Sequence, residues 1–226
     1  MRTRNARGDA RSRGADGVLF EHLSGLESIL CYDDGVDVAE LTQHTRFCLD
    51  DLRLVKATGL NWFRYPWRWH AIERTPGRYD WGFTDEAMSH LKQLGIRPVI
   101  DCCHHVSIPR YIDGGFLNPD FSKHYVRFVT RGLERYDWVR DITIFNEPYP
   151  TILFAGYTGF WYPYRKNAGA FVAMLGNIGH AICEISRLCC TVRGLRSVHF
   201  ETAESHSGAD APAREWPPTE THCAFW

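Results

Sequence analysis

Among the residues of this chain that could perform chemistry, a carboxylic acid at the end of an apolar segment comes first. The run Ile142-Thr-Ile-Phe-Asn-Glu-Pro-Tyr ends in Asn146 and Glu147, and Pro148 then blocks further strand pairing. A carboxyl group partly removed from water among Trp and Tyr side chains is expected to have a raised pKa. Such a group can protonate a glycosidic oxygen, and the Asn146 amide beside it can hydrogen-bond a sugar hydroxyl. Glu147 is therefore the candidate general acid/base.

Further polar residues follow the other apolar segments. In parallel α/β folds the ligand site lies at the carboxyl ends of the strands, so these side chains are expected to share one edge of a sheet. No Gly-rich phosphate loop of the GxGxxG or GxxxxGK[ST] type occurs in the sequence, which disfavours nucleotide binding. The polar residues concerned are Arg64, Asp101, His104, His105, Glu201 and Glu204.

Two alternatives involve these same residues. Asp101, His104 and His105 could form a metal site, but adjacent residues on a strand point to opposite faces, so the sequence predicts neither metal nor other cofactor. Glu201 or Glu204 could supply a second carboxylate at the ~6.5–9.5 Å separation of an inverting glycosidase, if the fourth and fifth strands are neighbours. The competing interpretation makes both of them solvated residues.

The elements that must position these residues alternate between short apolar runs and helical patterns. Without hairpin signals, this alternation predicts a parallel α/β sheet, because parallel neighbours need a crossover. Both an open doubly wound sheet and a (β/α)8 barrel satisfy the pattern. Strands are predicted at 17–21, 60–65, 96–103, 141–146 and 195–201, and helices at 38–58, 84–94, from 118–119 to 136, and 170–188.

Composition limits the remaining function classes. The net charge of −1 and a pI of about 6.8 argue against nucleic-acid binding, and no apolar run approaches the ~20 residues of a membrane span. Eight Cys without CxxC spacing indicate free thiols and a cytoplasmic location. The basic leader 1–16 is expected to be disordered and the tail 205–226 irregular, which leaves a single domain at 17–204.

Four motifs, in order and at similar spacing, resemble the family 1 glycoside hydrolases, the β-glycosidases, and the wider clan of barrel glycosidases. These are Asn61-Trp-Phe-Arg-Tyr-Pro-Trp-Arg-Trp69; Gly95-Ile-Arg-Pro98 followed by His105-Val-Ser-Ile-Pro109; Asn146-Glu-Pro148; and Gly156-Tyr-x-Gly159 leading to Pro163. The resemblance covers roughly 59–163. It implies a (β/α)8 barrel that hydrolyses β-O-glycosidic bonds in the manner of a β-glucosidase or β-galactosidase.

The resemblance also assigns roles to residues. It implies that Glu147 is the acid/base and that Arg64, His105 and Asn146 line the sugar subsite, with Tyr157 in the motif that follows. Trp161, beyond Gly159, is the better candidate for a ring on which sugar stacks, whereas Trp62 and Trp81 are equally suited to the core. Val106 and Ser107 depart from the family, which has Trp and Asp at these positions.

Only five strand signals are visible, so an incomplete barrel is expected, and the nucleophile on the family's seventh strand is unassigned. The alternative function is a non-catalytic carbohydrate-binding or interaction protein on a degenerate barrel. A third interpretation is a metal-dependent hydrolase that requires His105. Exposed flanks of the first and last strands would favour a homo-oligomer.

Overall fold

A computed structural model describes residues 23–26, 29–31 and 35–199. The leader 1–16, the strand predicted at 17–21, Glu201, Glu204 and the tail 205–226 lie outside these residues. The described part of the chain contains five strands: β1 Leu23–Gly25, β2 Trp62–Pro66, β3 Arg97–Asp101, β4 Asp141–Thr143 and β5 Arg196–Ser197.

The strands form one parallel sheet in the order β1-β2-β3-β4-β5. A doubly wound sheet reverses its strand order at a switch point, whereas a barrel adds each strand beside the preceding one. The sequential order therefore distinguishes the two architectures that the sequence pattern allowed. The described part of the chain therefore has five consecutive strands of an α/β barrel, the type of fold that the sequence predicted.

Seven helices connect the described strands. They are α1 Val38–Leu41, α2 His44–Ala57, α3 Trp69–Ile72, α4 Gly82–Gln93, α5 Phe121–Arg135, α6 Pro148–Ile152 and α7 Ala168–Thr191. A 3-10 turn at Gly115–Leu117 and a π-helical turn at Leu153–Thr158 complete the connections. The short helices α3 and α6 directly follow β2 and β4, at the strand edge where the site was expected.

All four predicted helices are present with shifted ends, and two of the differences have a clear local cause. The helix predicted at 38–58 is divided, because Gln43 adopts a left-handed backbone with φ of 59° between α1 and α2. The third long helix begins at Phe121 instead of Asn118, since the Asn118 side chain accepts a hydrogen bond from Asp120 N just before the first turn. Both breaks depend on local backbone geometry that hydrophobic periodicity does not report.

Aromatic rings fill the space between the sheet and α5. Trp81 stacks on Phe128 with 5.9 Å between ring centroids, and Trp69 also stacks on Phe128, at 5.3 Å. Trp67 lies edge-on to both Trp81 and Phe128. These tryptophans are buried, which places them in the core and not on a sugar-binding surface.

Helix α7 corrects one expectation about membranes. Its 24 residues include a window of mean hydropathy 1.4, so by length and composition it could cross a bilayer, although the sequence showed no comparable uninterrupted apolar run. One face is buried through Ala170, Met174, Ile178, Ala181 and Ile185. The same test is passed by core helices of soluble proteins.

Candidate active site

The carboxyl ends of β2, β3 and β4 bring the predicted polar residues together. Arg64 comes from β2, Asp101 is the last residue of β3, and Asn146 follows β4 after two apolar residues. All three are buried, with exposures of 8%, 0% and 3%. The sheet registers Arg64 beside Val99 and Asp101 beside Thr143, so Asp101 lies two residues nearer the carboxyl edge than Arg64, and the long Arg64 side chain reaches it.

Hydrogen bonds join these side chains into one continuous network. The Arg64 guanidinium donates to Asn146 Oδ1 at 2.7 Å, and the same nitrogen lies 2.9 Å from Asp101 Oδ2. Asn146 Nδ2 lies 3.2 Å from His105 Nε2, and His105 Nδ1 lies 2.9 Å from Thr151 Oγ1. Arg64, Asn146 and His105 are therefore in one connected cluster, as the sequence predicted.

His105 is neutral in this cluster. Burial lowers the pKa of its imidazole to about 3, and the neighbouring His104 and Arg64 disfavour the charged form further. At neutral pH the ring therefore has one N–H donor and one acceptor nitrogen. It cannot form an ion pair with Glu147, even though Glu147 Oε2 is 3.8 Å from Nε2.

Glu147 lies at the solvent-facing side of the cluster. Its side chain is one-third exposed, in contrast to the buried Asn146 before it. The backbone of Glu147 has φ of 43° and that of His105 has φ of 48°, both in the left-handed region that non-glycine residues seldom occupy. Such strain is frequent at functional sites, where the surrounding contacts over-determine the conformation. The Pro148 ring after Glu147 then begins α6.

An aromatic ring borders the same group. Trp161 lies 4.6 Å from the His105 ring between centroids and is only partly buried. Phe154 supports its other side, edge-on at 5.0 Å. Trp161 thus borders the cluster, and its role as a ring for sugar stacking stays a prediction.

Tyr157 is placed elsewhere. Its side chain is exposed, and its ring lies edge-on to Phe171 of α7 at 6.3 Å, outside the cluster around His105. The two residues that depart from the family motif have structural contacts. Val106 is buried, and Ser107 Oγ accepts a hydrogen bond from Leu30 N, which ties the segment after β1 to the segment after β3.

Asp101 has a role that the sequence did not reveal. Its Oδ2 bonds both Arg64 and His104 Nδ1, the latter at 2.6 Å, so the carboxylate balances the Arg64 charge inside the site. The Thr151 contact to His105 was also missed, because no local spacing relates these two positions, which lie 46 residues apart. Its position at the end of a strand identified Asp101 as a candidate residue, but did not show that it pairs with Arg64.

The prediction that His104 and His105 point to opposite faces of a strand was wrong. Both lie in the turn after β3 ends at Asp101, and their rings meet edge to face at 4.5 Å. They are therefore neighbours and not on opposite faces of a strand. Within residues 23–26, 29–31 and 35–199, no group of three or more His, Cys, Asp or Glu side chains could hold a metal ion.

A buried guanidinium, an amide, a neutral imidazole and an accessible carboxyl at the carboxyl edge of a sequential parallel sheet suit polyol binding and proton transfer. The fold defines the class: an α/β barrel of the kind found in glycosidases. A surface cavity of about 210 Å³ lies apart from this cluster, lined by Ala71, Ile72, Arg74, Thr75, Arg78, Tyr79 and Asp80.

Comparison with known proteins confirms the resemblance to family 1 β-glycosidases. The chain is 28% identical over 169 residues to a protein of Oryza sativa subsp. japonica named probable inactive beta-glucosidase 14, over 70% of this chain. In fold it resembles the β-glycosidase from Pyrococcus horikoshii, with a TM-score of 0.68, 18% identity and 80% of this chain covered. The family 1 β-glucosidase from Thermotoga maritima gives 0.68, 18% and 75%. No protein-family model matches the chain.

The matched part of these proteins is limited. The chain spans 31% of the length of the rice protein, 47% of the Pyrococcus enzyme and 40% of the Thermotoga enzyme. The Thermotoga β-glucosidase also matches as its complex with castanospermine, with a TM-score of 0.62 and 20% identity over 68% of this chain and 37% of that one.

Proposed function

We propose that this chain carries the acid/base half of a β-glycoside-hydrolysing site, with Glu147 as the proton donor. The observation that carries the proposal is the bonded chain from Arg64 through Asn146 to His105, with Glu147 Oε2 3.8 Å from the His105 ring. Buried polar groups line one side, and a carboxyl group that water can reach lies on the other. The resemblance to β-glucosidases supports the same chemistry.

The reaction assigned to this geometry begins with the protonated carboxyl of Glu147. Its proton passes to the glycosidic oxygen as the bond from that oxygen to the anomeric carbon breaks, and the alcohol leaves. Asn146, with its amide held by Arg64 and His105, hydrogen-bonds a sugar hydroxyl as positive charge develops on the ring. The Trp161 face packs against the C–H surface of the sugar. Water finally adds to the anomeric carbon and gives a proton to the Glu147 carboxylate, which restores the acid.

The group that attacks the anomeric carbon is not assigned to a described residue. Asp101 is a second carboxylate in the cluster, but it is fully buried and bonded to both Arg64 and His104. That arrangement suits a counter-ion for Arg64 better than a nucleophile. Glu201 and Glu204 lie outside the described residues.

The test is hydrolysis by the full chain and by Glu147→Gln of methyl β-D-glucoside, whose alcohol must be protonated in order to leave, and of 4-nitrophenyl β-D-glucoside, whose nitrophenolate leaves without a proton. Removing a general acid is expected to lower kcat/KM for the methyl glucoside about 10²–10⁴-fold and for the nitrophenyl glucoside much less. Glu134→Gln is the matched control, since this carboxylate is exposed on α5 and paired with Arg131, and its loss should leave the rate unchanged. Equal rates for the wild type and Glu147→Gln with the methyl glucoside would disprove the acid role.

A second candidate is a sugar-binding protein without hydrolytic activity. The observation in its favour is that Asp101 already neutralises Arg64, so the site holds its charge balance without another carboxylate. This candidate predicts that castanospermine binds to the chain, measured by calorimetry, and that Trp161→Ala weakens binding, while no nitrophenol is released. The name of the rice relative, which calls it probably inactive, agrees with this outcome.

We propose a reducing compartment, the cytoplasm, as the location. Seven cysteines of the described part are free thiols, and burial raises the pKa of Cys102 and Cys103 well above the ordinary value, which keeps these two protonated. Fractionation of the source cells, followed by detection of the chain with an antibody, tests the location.

A further inference from the structure

The hydrogen-bonded chain of the site ends at a residue to which the proposed reaction gives no role. Thr151 lies on α6 with no exposed surface, and its hydroxyl is 2.9 Å from His105 Nδ1. The same hydroxyl donates to the backbone carbonyl of Asn146 at 3.4 Å. Thr151 therefore contacts two of the residues proposed to bind sugar, without being reachable by a ligand.

The hydrogen-bond donors and acceptors of the series from Arg64 to Thr151 are compatible in one arrangement. A guanidinium has donors only, so the Asn146 atom beside Arg64 is the carbonyl oxygen, and its amide nitrogen faces His105. Because that nitrogen is a donor, His105 Nε2 must accept. The single proton of the neutral ring then lies on Nδ1, which donates to Thr151 Oγ1.

We propose that Thr151 is a positioning residue that holds His105 as the Nδ1-protonated tautomer, with the Nε2 lone pair directed toward Asn146 and Glu147. The effect of this tautomer on sugar binding and catalysis rests on the proposed function, whereas the tautomer itself does not. Thr151 can accept from the ring because its own hydroxyl proton is used on the Asn146 carbonyl. Its hydroxyl thus joins the ring orientation to the backbone that carries Asn146 and Glu147.

The opposite tautomer would disturb two residues together. A proton on Nε2 would face the amide nitrogen of Asn146, donor against donor, and the Asn146 amide would have to rotate. Rotation would place its NH2 group against the Arg64 guanidinium, again donor against donor. A sugar hydroxyl bound at this site would then face a rotated Asn146 amide and an imidazole nitrogen that donates a hydrogen bond instead of accepting one.

Low basicity of the ring adds a consequence for Glu147. The pKa of His105 near 3 means that the Nε2 lone pair does not take the proton from the neighbouring carboxyl group at neutral pH. His105 can therefore accept a hydrogen bond in this corner of the site while the acid proton stays available for the glycosidic oxygen.

The experiment reads the tautomer directly, by ¹⁵N-edited NMR of the histidine rings in the full chain at neutral pH. The His105 signals are identified by their loss in His105→Gln. The expected wild-type pattern is a pyrrole-like Nδ1 and a pyridine-like Nε2. Thr151→Val should shift the proton toward Nε2, and Thr151→Ser should restore the wild-type pattern. Thr130→Val is the matched control, because the Thr130 hydroxyl bonds a backbone carbonyl on α5, and it should leave the His105 signals unchanged.

A second readout is affinity for castanospermine, measured by calorimetry. Thr151→Val is expected to weaken it about tenfold, the effect of one misplaced hydrogen bond, while Thr151→Ser retains it. A wild-type His105 protonated at Nε2 overturns the inference without any variant. So does a folded Thr151→Val or Thr151→Ala protein with the wild-type pattern. Absent hydrolysis with the expected tautomer would reject the catalytic proposal alone and leave this inference standing.

Discussion

The guanidinium of Arg64 is the centre of charge in the site, and it is almost completely buried. Its partners are Asp101, Asn146 and, more distantly, the hydroxyl of Thr143 at 3.4 Å. A buried ion pair gains little over an apolar pair, but removing one partner is costly, because the other charge stays buried without compensation. Asp101 therefore affects both the stability of the fold and the orientation of the sugar-binding amide.

Asp101→Asn is expected to lower the free energy of unfolding by about 3 kcal/mol, because Arg64 keeps its charge in the interior. Urea unfolding followed by tryptophan fluorescence measures the change. Asp50→Asn, in the exposed pair with Arg53, is the matched control and should change the stability by less than about 1 kcal/mol. A variant at Asp101 as stable as the wild type would show that this buried pair is not needed.

Asp37 gives the fold a pH dependence. Burial alone would raise the pKa of its carboxyl group, but hydrogen bonds and attraction from His70, then from Arg68, lower it well below the ordinary value of 3.8. A lowered pKa in the folded state stabilises the protein above the unfolded value, and this stabilisation is lost as the pH falls toward the folded value. Asp37 also caps α1 by accepting from Ala39 N.

Asp37→Asn keeps a good capping residue but removes the charge. At pH 7 the variant is expected to be about 2–3 kcal/mol less stable than the wild type, since Arg68 loses a buried partner. The difference should shrink as the pH is lowered from about 5 to 2, because the unfolded wild type takes up a proton on this carboxyl group while the folded protein, with its lowered pKa, keeps the charge. Urea titrations at several pH values measure it, and a constant difference would contradict the assignment.

The packing of α5 depends on its close approach to the rings of Trp67, Trp81 and Phe128. A Cβ atom added to Gly132 would lie 2.2 Å from a carbon of the Trp67 ring, which is closer than any real contact. The ring cannot move away, because Trp81, Phe128 and Tyr136 surround it. Glycine is required here by space and not by backbone conformation.

Gly132→Ala is expected to destabilise the protein by about 1–3 kcal/mol through overpacking, despite the better helix propensity of alanine. Gly176→Ala on α7 is the matched control. An added Cβ there meets nothing within 4 Å, so the same substitution should stabilise the protein by about 0.4–1 kcal/mol. Thermal unfolding of both variants measures the effects, and changes of equal sign would refute the packing argument.

The described part of the chain is an open sheet with helices along it. In the described part of the chain, β1 and β5 each pair with a single neighbouring strand, and such edges can recruit another chain. Helix α7, beside β5, exposes Val172 to 63% and Leu175 to 51%. The chain covers 47% and 40% of two solved glycosidases that share this fold, so those proteins have further structure beyond the matched part.

Self-association is the expected result in solution, because pairing of copies would cover the edge strands and the apolar side of α7. Light scattering coupled to size exclusion gives the mass. The double substitution Val172→Lys/Leu175→Lys should shift the mass toward that of the monomer, whereas His180→Lys, at an exposed position of the same helix, should not. A monodisperse monomer of the wild type would disprove this expectation.

Patterns in neighbouring residues were enough to predict much of the fold and of the candidate site. The alternation of apolar runs and helical stretches predicted the parallel sheet, because strand and helix periods are written in neighbouring residues. The polar residues at strand ends, Arg64, His105, Asn146 and Glu147, were found because parallel strands share one carboxyl edge. Free cysteines and the core tryptophans Trp62 and Trp81 were also within reach of the sequence.

Strand order, hydrogen-bond partners and side-chain surroundings required three-dimensional contacts between residues far apart in the chain. The choice of a barrel over a doubly wound sheet lies in which strands pair. The pairing of Arg64 with Asp101 and the contact of Thr151 with His105 join positions 37 and 46 residues apart. The left-handed backbone at Gln43, His105 and Glu147 leaves no periodic signal, since non-glycine residues adopt it only when the surrounding packing compels them.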